Sequence, residues 1–147
     1  MANYVTNAFK GRLLGDTAQI SAAINMASDT FKLMLLTSSH TPDIDAEVFI
    51  DDVSANEVSA SGTYSAGGGT LTVSGSTDDT DDEGVWDATD ISFTSATITA
   101  RYAPIYKDSG TPSTSPICPV IDFGSNQTST AGTFAIAFAA EGILNLG

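Results

Sequence analysis

Basic residues are scarce in this chain: five Lys and Arg stand against 18 Asp and Glu, a net charge of −13 over 147 residues. Nucleic-acid binding rests on Lys and Arg neutralising phosphates, so the balance argues against such a partner. The same field repels anionic membranes. Cysteine is reduced to Cys118, which excludes an internal disulfide framework. With one His (His40) and one Cys, an ordinary structural zinc site is excluded as well. No stretch approaches the roughly 18 apolar residues of a membrane span. The start, Met1-Ala2-Asn3-Tyr4, lacks the basic and then apolar segments of a secretory leader. The expectation is a soluble protein made without ordinary secretion, with no membrane and no nucleic-acid partner.

What is abundant points to β-structure. There are 17 Ser, 19 Thr and 13 Gly. Thr suits pleated strands, while Gly and Ser suit the turns between them. The length fits one domain over 1–147, with no repeat. It reads as an N-terminal arm and helix over 1–26, followed by a β-sandwich over 27–147.

The helical signal lies at the start, where Val5, Phe9 and Leu13 recur every fourth residue beside Ala8 and Leu14. Asn3 or Thr6 would cap that helix and Gly15 would end it. A second helical stretch is expected over Thr17–Met26. Thr30–Thr37 is nearly all apolar and reads as a buried central strand. Ser38–Ser59 reads as loop, with one helical turn near Asp51–Ala55. Thr70–Val73 alternates Thr outward with Leu71 and Val73 inward.

Ser74–Gly84 reads as an acidic turn, and Val85–Ala88 and Ile91–Phe93 as short strands. Ala96–Lys107 gives the clearest alternation, with Ile98, Ala100, Tyr102 and Tyr106 on one side. Pro104 inside it suggests an edge or a bulge. Ile117–Phe123, with Pro119 inside, reads as another edge-like strand. Gly124–Ser129 reads as a turn, Thr133–Phe138 as alternating, and Gly142–Leu146 as a last strand. The fold class expected is mainly β: an antiparallel sandwich or barrel-like domain with a short N-terminal helix.

Few residues suggest chemistry. Asp78, Asp79, Asp81, Asp82 and Glu83 are candidate calcium ligands, since Ca²⁺ takes six to eight hard oxygens. They lack EF-hand spacing, and a solvated acidic turn is the competing reading. Asp43, Asp45 and Glu47 alternate; on a strand they would share a face, but after Pro42 a polar loop is favoured. Any Ser–His–Asp triad would have to use His40, which Ser38 and Ser39 do not support by adjacency alone. Cys118, between Ile117 and Pro119, reads as a buried inert thiol. Trp86, Tyr102 and Tyr106 would either line a sugar-binding surface or, as is commoner, anchor a core or interface. Gly67-Gly68-Gly69 lacks the Lys and helix of a phosphate loop and reads as a turn. No catalytic residue, metal ligand set or cofactor is assigned.

Several segments resemble a family of small structural proteins of tailed bacteriophages. They are Asn7–Leu14, Thr30–Leu36, His40-Thr41-Pro42-Asp43, Asp51–Val58, Ala96–Asp108, Ile121-Asp122-Phe123-Gly124 and Gly142–Leu146. The resemblance spans nearly the whole chain with the segments in order, although each motif is bland. It implies a virion location and a non-enzymatic structural role, with capsid decoration (cement) as the first expectation. The partners would then be the major capsid protein and further copies of this chain. A homo-oligomer, such as a trimer at threefold positions of the shell, follows from decoration proteins generally. The N-terminal helix or an exposed arm over residues 1–6 would dock on a neighbour. The alternative is a tail or fibre component binding a host receptor or glycan.

Overall fold

The computed structural model describes residues 3–16 and 23–147. It contains strands β1 (Tyr4–Val5), β2 (Phe31–Leu33), β3 (Gly69–Thr70), β4 (Val73–Asp78), β5 (Glu83–Ala88), β6 (Ile91–Lys107), β7 (Ile117–Ile136) and β8 (Leu144–Leu146). One short helix, α1 (Asn7–Leu13), follows β1. All pairings are antiparallel: a five-stranded sheet in the order β1-β7-β6-β2-β3 and a three-stranded sheet in the order β4-β5-β8. The fold is mainly β and sandwich-like.

The two sheets share a core. Phe31 and Leu33 of β2, Phe93, Ile98 and Ile105 of β6 and Phe134 and Ile136 of β7 meet Trp86 and Ala88 of β5. The Phe31 and Trp86 rings contact edge-on at 5.1 Å between centroids, a geometry their quadrupoles favour. A second core lies on the other side of the large sheet. There Tyr102, Tyr106, Ile117 and Val120 pack with Met34, Leu36, Ile50 and Val53. The last two belong to single helical turns at Ile50–Asp52 and beside Ser54–Asn56, inside the expected loop.

The helix forms as expected, and its capping oxygen is that of Thr6, whose Oγ1 accepts the Phe9 N–H at 3.2 Å. Gly15 follows its end with φ +79. The buried face differs from the expected stripe. Ala8, Phe9 and Arg12 are buried, whereas Leu13 is partly exposed and Leu14 is 88% exposed. Val5 lies in β1, outside the helix. The helix spans under two turns, so only one column of side chains reaches the sheet.

Further expectations are corrected by long-range pairing. Pro104 sits in β6, between β7 and β2, rather than at an edge; the bulge alternative holds, since the β6–β7 register shifts between Pro104 and Tyr106. Its carbonyl accepts the Met34 N–H at 3.0 Å, but proline has no N–H to return to Met34. Strand β2 accordingly ends at Leu33, and contact resumes at Leu36 opposite Tyr102. Ser74–Gly84 is mostly strand: β4 pairs with β5 through Asp78 opposite Glu83, and only 79–82 turns the chain. Gly124–Ser129 is not a hairpin turn but part of β7. Between Gln127 (opposite Ala100) and Asp122 (opposite Tyr102), β7 carries extra residues as a bulge around Gly124, φ +78.

The described part of the expected arm, residues 3–6, is likewise not free. Tyr4 and Val5 pair with Val120 and Pro119, and Tyr4, Thr6 and Phe9 are buried in their own fold. The second expected helix lies partly outside the described residues; residues 26–28 form a turn. Among the described residues no helix is long and apolar enough to cross a membrane.

Candidate functional site

The most concentrated polar chemistry gathers around His40. Strand β1 brings Tyr4 in, and the loop after Leu36 brings His40 and Glu47. The Tyr4 hydroxyl donates to Glu47 Oε2 at 2.7 Å and lies 3.3 Å from His40 Nε2. His40 Nε2 is 3.2 Å from Glu47 Oε1, which also accepts the Asp43 N–H at 2.7 Å. All three side chains are at most 7% exposed. Burial, then the Glu47 carboxylate, push the Tyr4 phenol well above its ordinary pKa. His40 also packs edge-on against Tyr102 at 5.2 Å.

Sequence spacing left Asp43, Asp45 and Glu47 as a polar loop, and they do lie on one, but their roles diverge. Asp43 Oδ1 accepts the Asp45 and Ala46 N–H groups, and Asp45 accepts from Asn7 Nδ2 at 2.5 Å. Only Glu47 is buried. Asp52 nearby accepts the Val48 and Phe49 N–H groups. Asp43 and Asp52 thus hold backbone, Asp45 the Asn7 side-chain amide, and Glu47 both backbone and a buried hydroxyl. The cluster acts as a clamp between β1, α1 and the 37–52 loop.

Three polar arrangements escaped the sequence reading. Arg101 Nε and Nη2 grip Asp122 at 2.6 and 3.2 Å across β6 and β7, at the bulge. The guanidinium, with help from the Gly124 N–H, holds the Asp122 carboxyl down at about 2. The Asp122 N–H donates to Asn3 Oδ1 at 2.9 Å, which ties the chain's start to the same point. The second arrangement centres on Tyr64, whose hydroxyl donates to Glu57 Oε1 at 2.8 Å and accepts the Leu35 N–H at 2.9 Å. The third is Arg12, 8% exposed, with its Cζ 5.0 Å from the Phe49 ring centroid. Among the described residues its Nε and Nη2 have no hydrogen-bond partner, and burial lowers its pKa. No local signal marks these groups, because their partners are distant in sequence.

The acidic segment does not assemble as a ligand set. Asp78 Oδ1 accepts the Thr80 N–H at 2.8 Å and the Asp81 N–H at 3.4 Å, which holds its pKa below the usual range. Glu83 accepts from Asn145 Nδ2. Among the described residues no three His, Cys, Asp or Glu side chains converge as metal ligands.

Trp86, Tyr102 and Tyr106 are buried, so they anchor cores and present no sugar-binding platform. Trp86 Nε1 donates to the Met26 carbonyl and Tyr106 to that of Gly67. Cys118 is fully buried, and desolvation pushes its thiol up. The Gly67–Gly69 turn is one that only glycine allows. A Cβ on Gly68, φ +81, would lie 1.8 Å from the Leu33 carbonyl oxygen.

The surfaces left to partners are of two kinds. An apolar groove crosses the small sheet, lined by Leu13, Val85, Trp86, Leu144 and Leu146, with Leu146 63% exposed. The outer edge of β7 beyond Val120 forms the second.

Comparison with protein-family models, with curated proteins and with solved structures finds no match to this chain.

Proposed function

We propose that this chain is a non-enzymatic structural protein of a tailed-phage particle. In this reading it is a capsid decoration (cement) protein that stabilises the head by contacts with the major capsid protein and with its own copies. The observation that carries the reading is the role of the buried polar groups. Glu47, Glu57 and Asp122 each fix a hydroxyl, a guanidinium or a backbone N–H of a distant segment. Such cross-links rigidify a scaffold, and a coat subunit needs rigidity more than a reactive cleft.

Two further points support it. The groove over Trp86 offers apolar area for a lattice contact, and the field of a −13 chain keeps it from associating nonspecifically. The segment resemblance points the same way. The tail or fibre alternative, with a receptor or glycan as ligand, would draw on aromatics lining a sugar-binding surface, and Trp86, Tyr102 and Tyr106 are buried.

The test is a cryo-electron map and mass spectrum of the purified native particle. Density fitting this chain in regular arrays on the outer capsid is expected. Absence of the chain from the particle would sink the reading, and density confined to the tail would replace it with the alternative.

A further inference from the structure

The 18 carboxylates are unevenly placed along the chain. No charged residue lies between Glu57 and Asp78, between Asp90 and Arg101, or between Asp122 and Glu141. The fold brings these three runs together. The Thr63 N–H donates to the Thr94 carbonyl at 3.0 Å, and the Thr94 N–H to Thr63 Oγ1 at 2.8 Å. The Thr97 N–H donates to Ser61 Oγ at 2.8 Å, and the Ala131 N–H to Thr97 Oγ1 at 3.0 Å. One region of a strongly acidic molecule is therefore a Ser/Thr/Ala surface without charge.

An open strand edge borders that surface. Strand β1 covers β7 only at Pro119 and Val120. From Gly124 to Ile136, among the described residues, no backbone hydrogen bond reaches β7 from any element but β6. Sheet edges are ordinarily guarded by Lys, Pro or inward charges. This edge has none of them, although it bends at the Gly124 bulge and again at Thr130–Ala131, where two residues stand against Thr97 and Ala131 takes φ +45, and the curl brings the Phe123 ring to 6.2 Å from that of Phe134.

We infer that this edge of β7, with the charge-free surface beside it, is the contact face for a second copy of this chain. The charge pattern selects that occupant. A basic partner would seek carboxylates, and here there are none. Two copies of a −13 chain repel wherever their acids face each other, which leaves this region for contact. Antiparallel pairing of like strands about a twofold axis is self-complementary and uses the free backbone groups of both. Centred near Ser129, it brings no carboxylate opposite another, because no charged residue lies between Asp122 and Glu141. The inference fills in the self-contacts of the structural reading above, but it concerns the isolated chain and stands or falls separately from the particle.

The experiment is sedimentation of the purified full chain across a concentration series, beside two double variants, Thr128→Glu/Thr130→Glu and Thr128→Lys/Thr130→Lys. Both threonines are exposed. The wild type is expected to dimerise with rising concentration, and each variant alone to lose at least tenfold in affinity. An equimolar mixture of the Glu and Lys forms is expected to associate again, because opposite charges then meet across the twofold. Hydrogen exchange on the wild type gives a reading that needs no variant: amides within 124–136 should gain protection as concentration rises. A wild type that stays monomeric with unchanged exchange overturns the inference, as do charged variants that dimerise like the wild type. A particle lacking this chain would remove the virion reading and leave the dimer intact.

Discussion

The β6–β7 ladder has two halves that solve burial differently. At one end, Tyr102–Tyr106 and Ile117–Val120 are buried residue after residue, because the sandwich core covers one face and the 34–58 segment covers the other. At the other end β6 alternates, with Ile98 and Ala100 inside and Thr97 and Thr99 outside, while β7 is mostly exposed from Gly124 to Thr133. Between them the alternation changes phase. Ile98 and Ala100 face the sandwich core, and so do Ala103 and Ile105, across the displaced register at Arg101. One strand thus serves a two-sided core and a one-sided core, and the bulge pinned by Arg101 and Asp122 joins them. A period-two pattern reports how many faces are covered, and it holds only as far as the next bulge.

The largest expected effect probes the doubly covered half. Ile105→Ala should lower unfolding free energy by roughly 2–5 kcal/mol, read from urea denaturation, because the cavity lies where nothing can collapse into it. A loss no larger than that of an exposed threonine would erase the distinction between the halves.

The junction comes next. Asp122→Asn should cost roughly 1.5–3 kcal/mol at neutral pH, through the lost charge-assisted bonds to Arg101. The Asp122 carboxyl is held at about 2 when folded, below its unfolded value. Its contribution is therefore present above about pH 4 and lost as pH falls toward 2. The stability gap between wild type and variant should close over that window, and a gap independent of pH would assign it to packing instead.

Tyr4→Phe tests whether the covering of the near half depends on the His40 clamp. Loss of the donor to Glu47 should cost about 1–2 kcal/mol, with faster exchange at Tyr4–Val5 and Val120–Ile121 and no change at Gln127–Thr130. The smallest effect belongs to the far half: Thr99→Ala should change stability by no more than about 0.5 kcal/mol.

Much of this was legible in the residues. The capped helix from Thr6, the apolar run through Phe31–Leu36 and the strand ending at Lys107 follow local periodicity and turn chemistry. The phase change at Arg101 was hidden because it depends on residues inserted in the partner strand, more than twenty positions away. Ser74–Thr77 concealed a strand, since polar residues exposed on an edge look like a turn until their partner is known. Glu47 and Arg12 gave no sign of burial, as charged residues are ordinarily wet. The candidate site was legible only as a lone histidine; its Tyr4 and Glu47 contacts come from the fold.

The pairing of Tyr4 with Val120 has a consequence for biosynthesis. A ribosome releases Tyr4 and Val5 more than a hundred residues ahead of their strand partners, Val120 and Pro119. Until then the strand edge of this segment must wait unpaired, and its pairing with β7 closes a long loop. Nascent chains halted before Ile117 should therefore keep the N-terminal segment open to protease, and β1 should be among the last elements to lock into place.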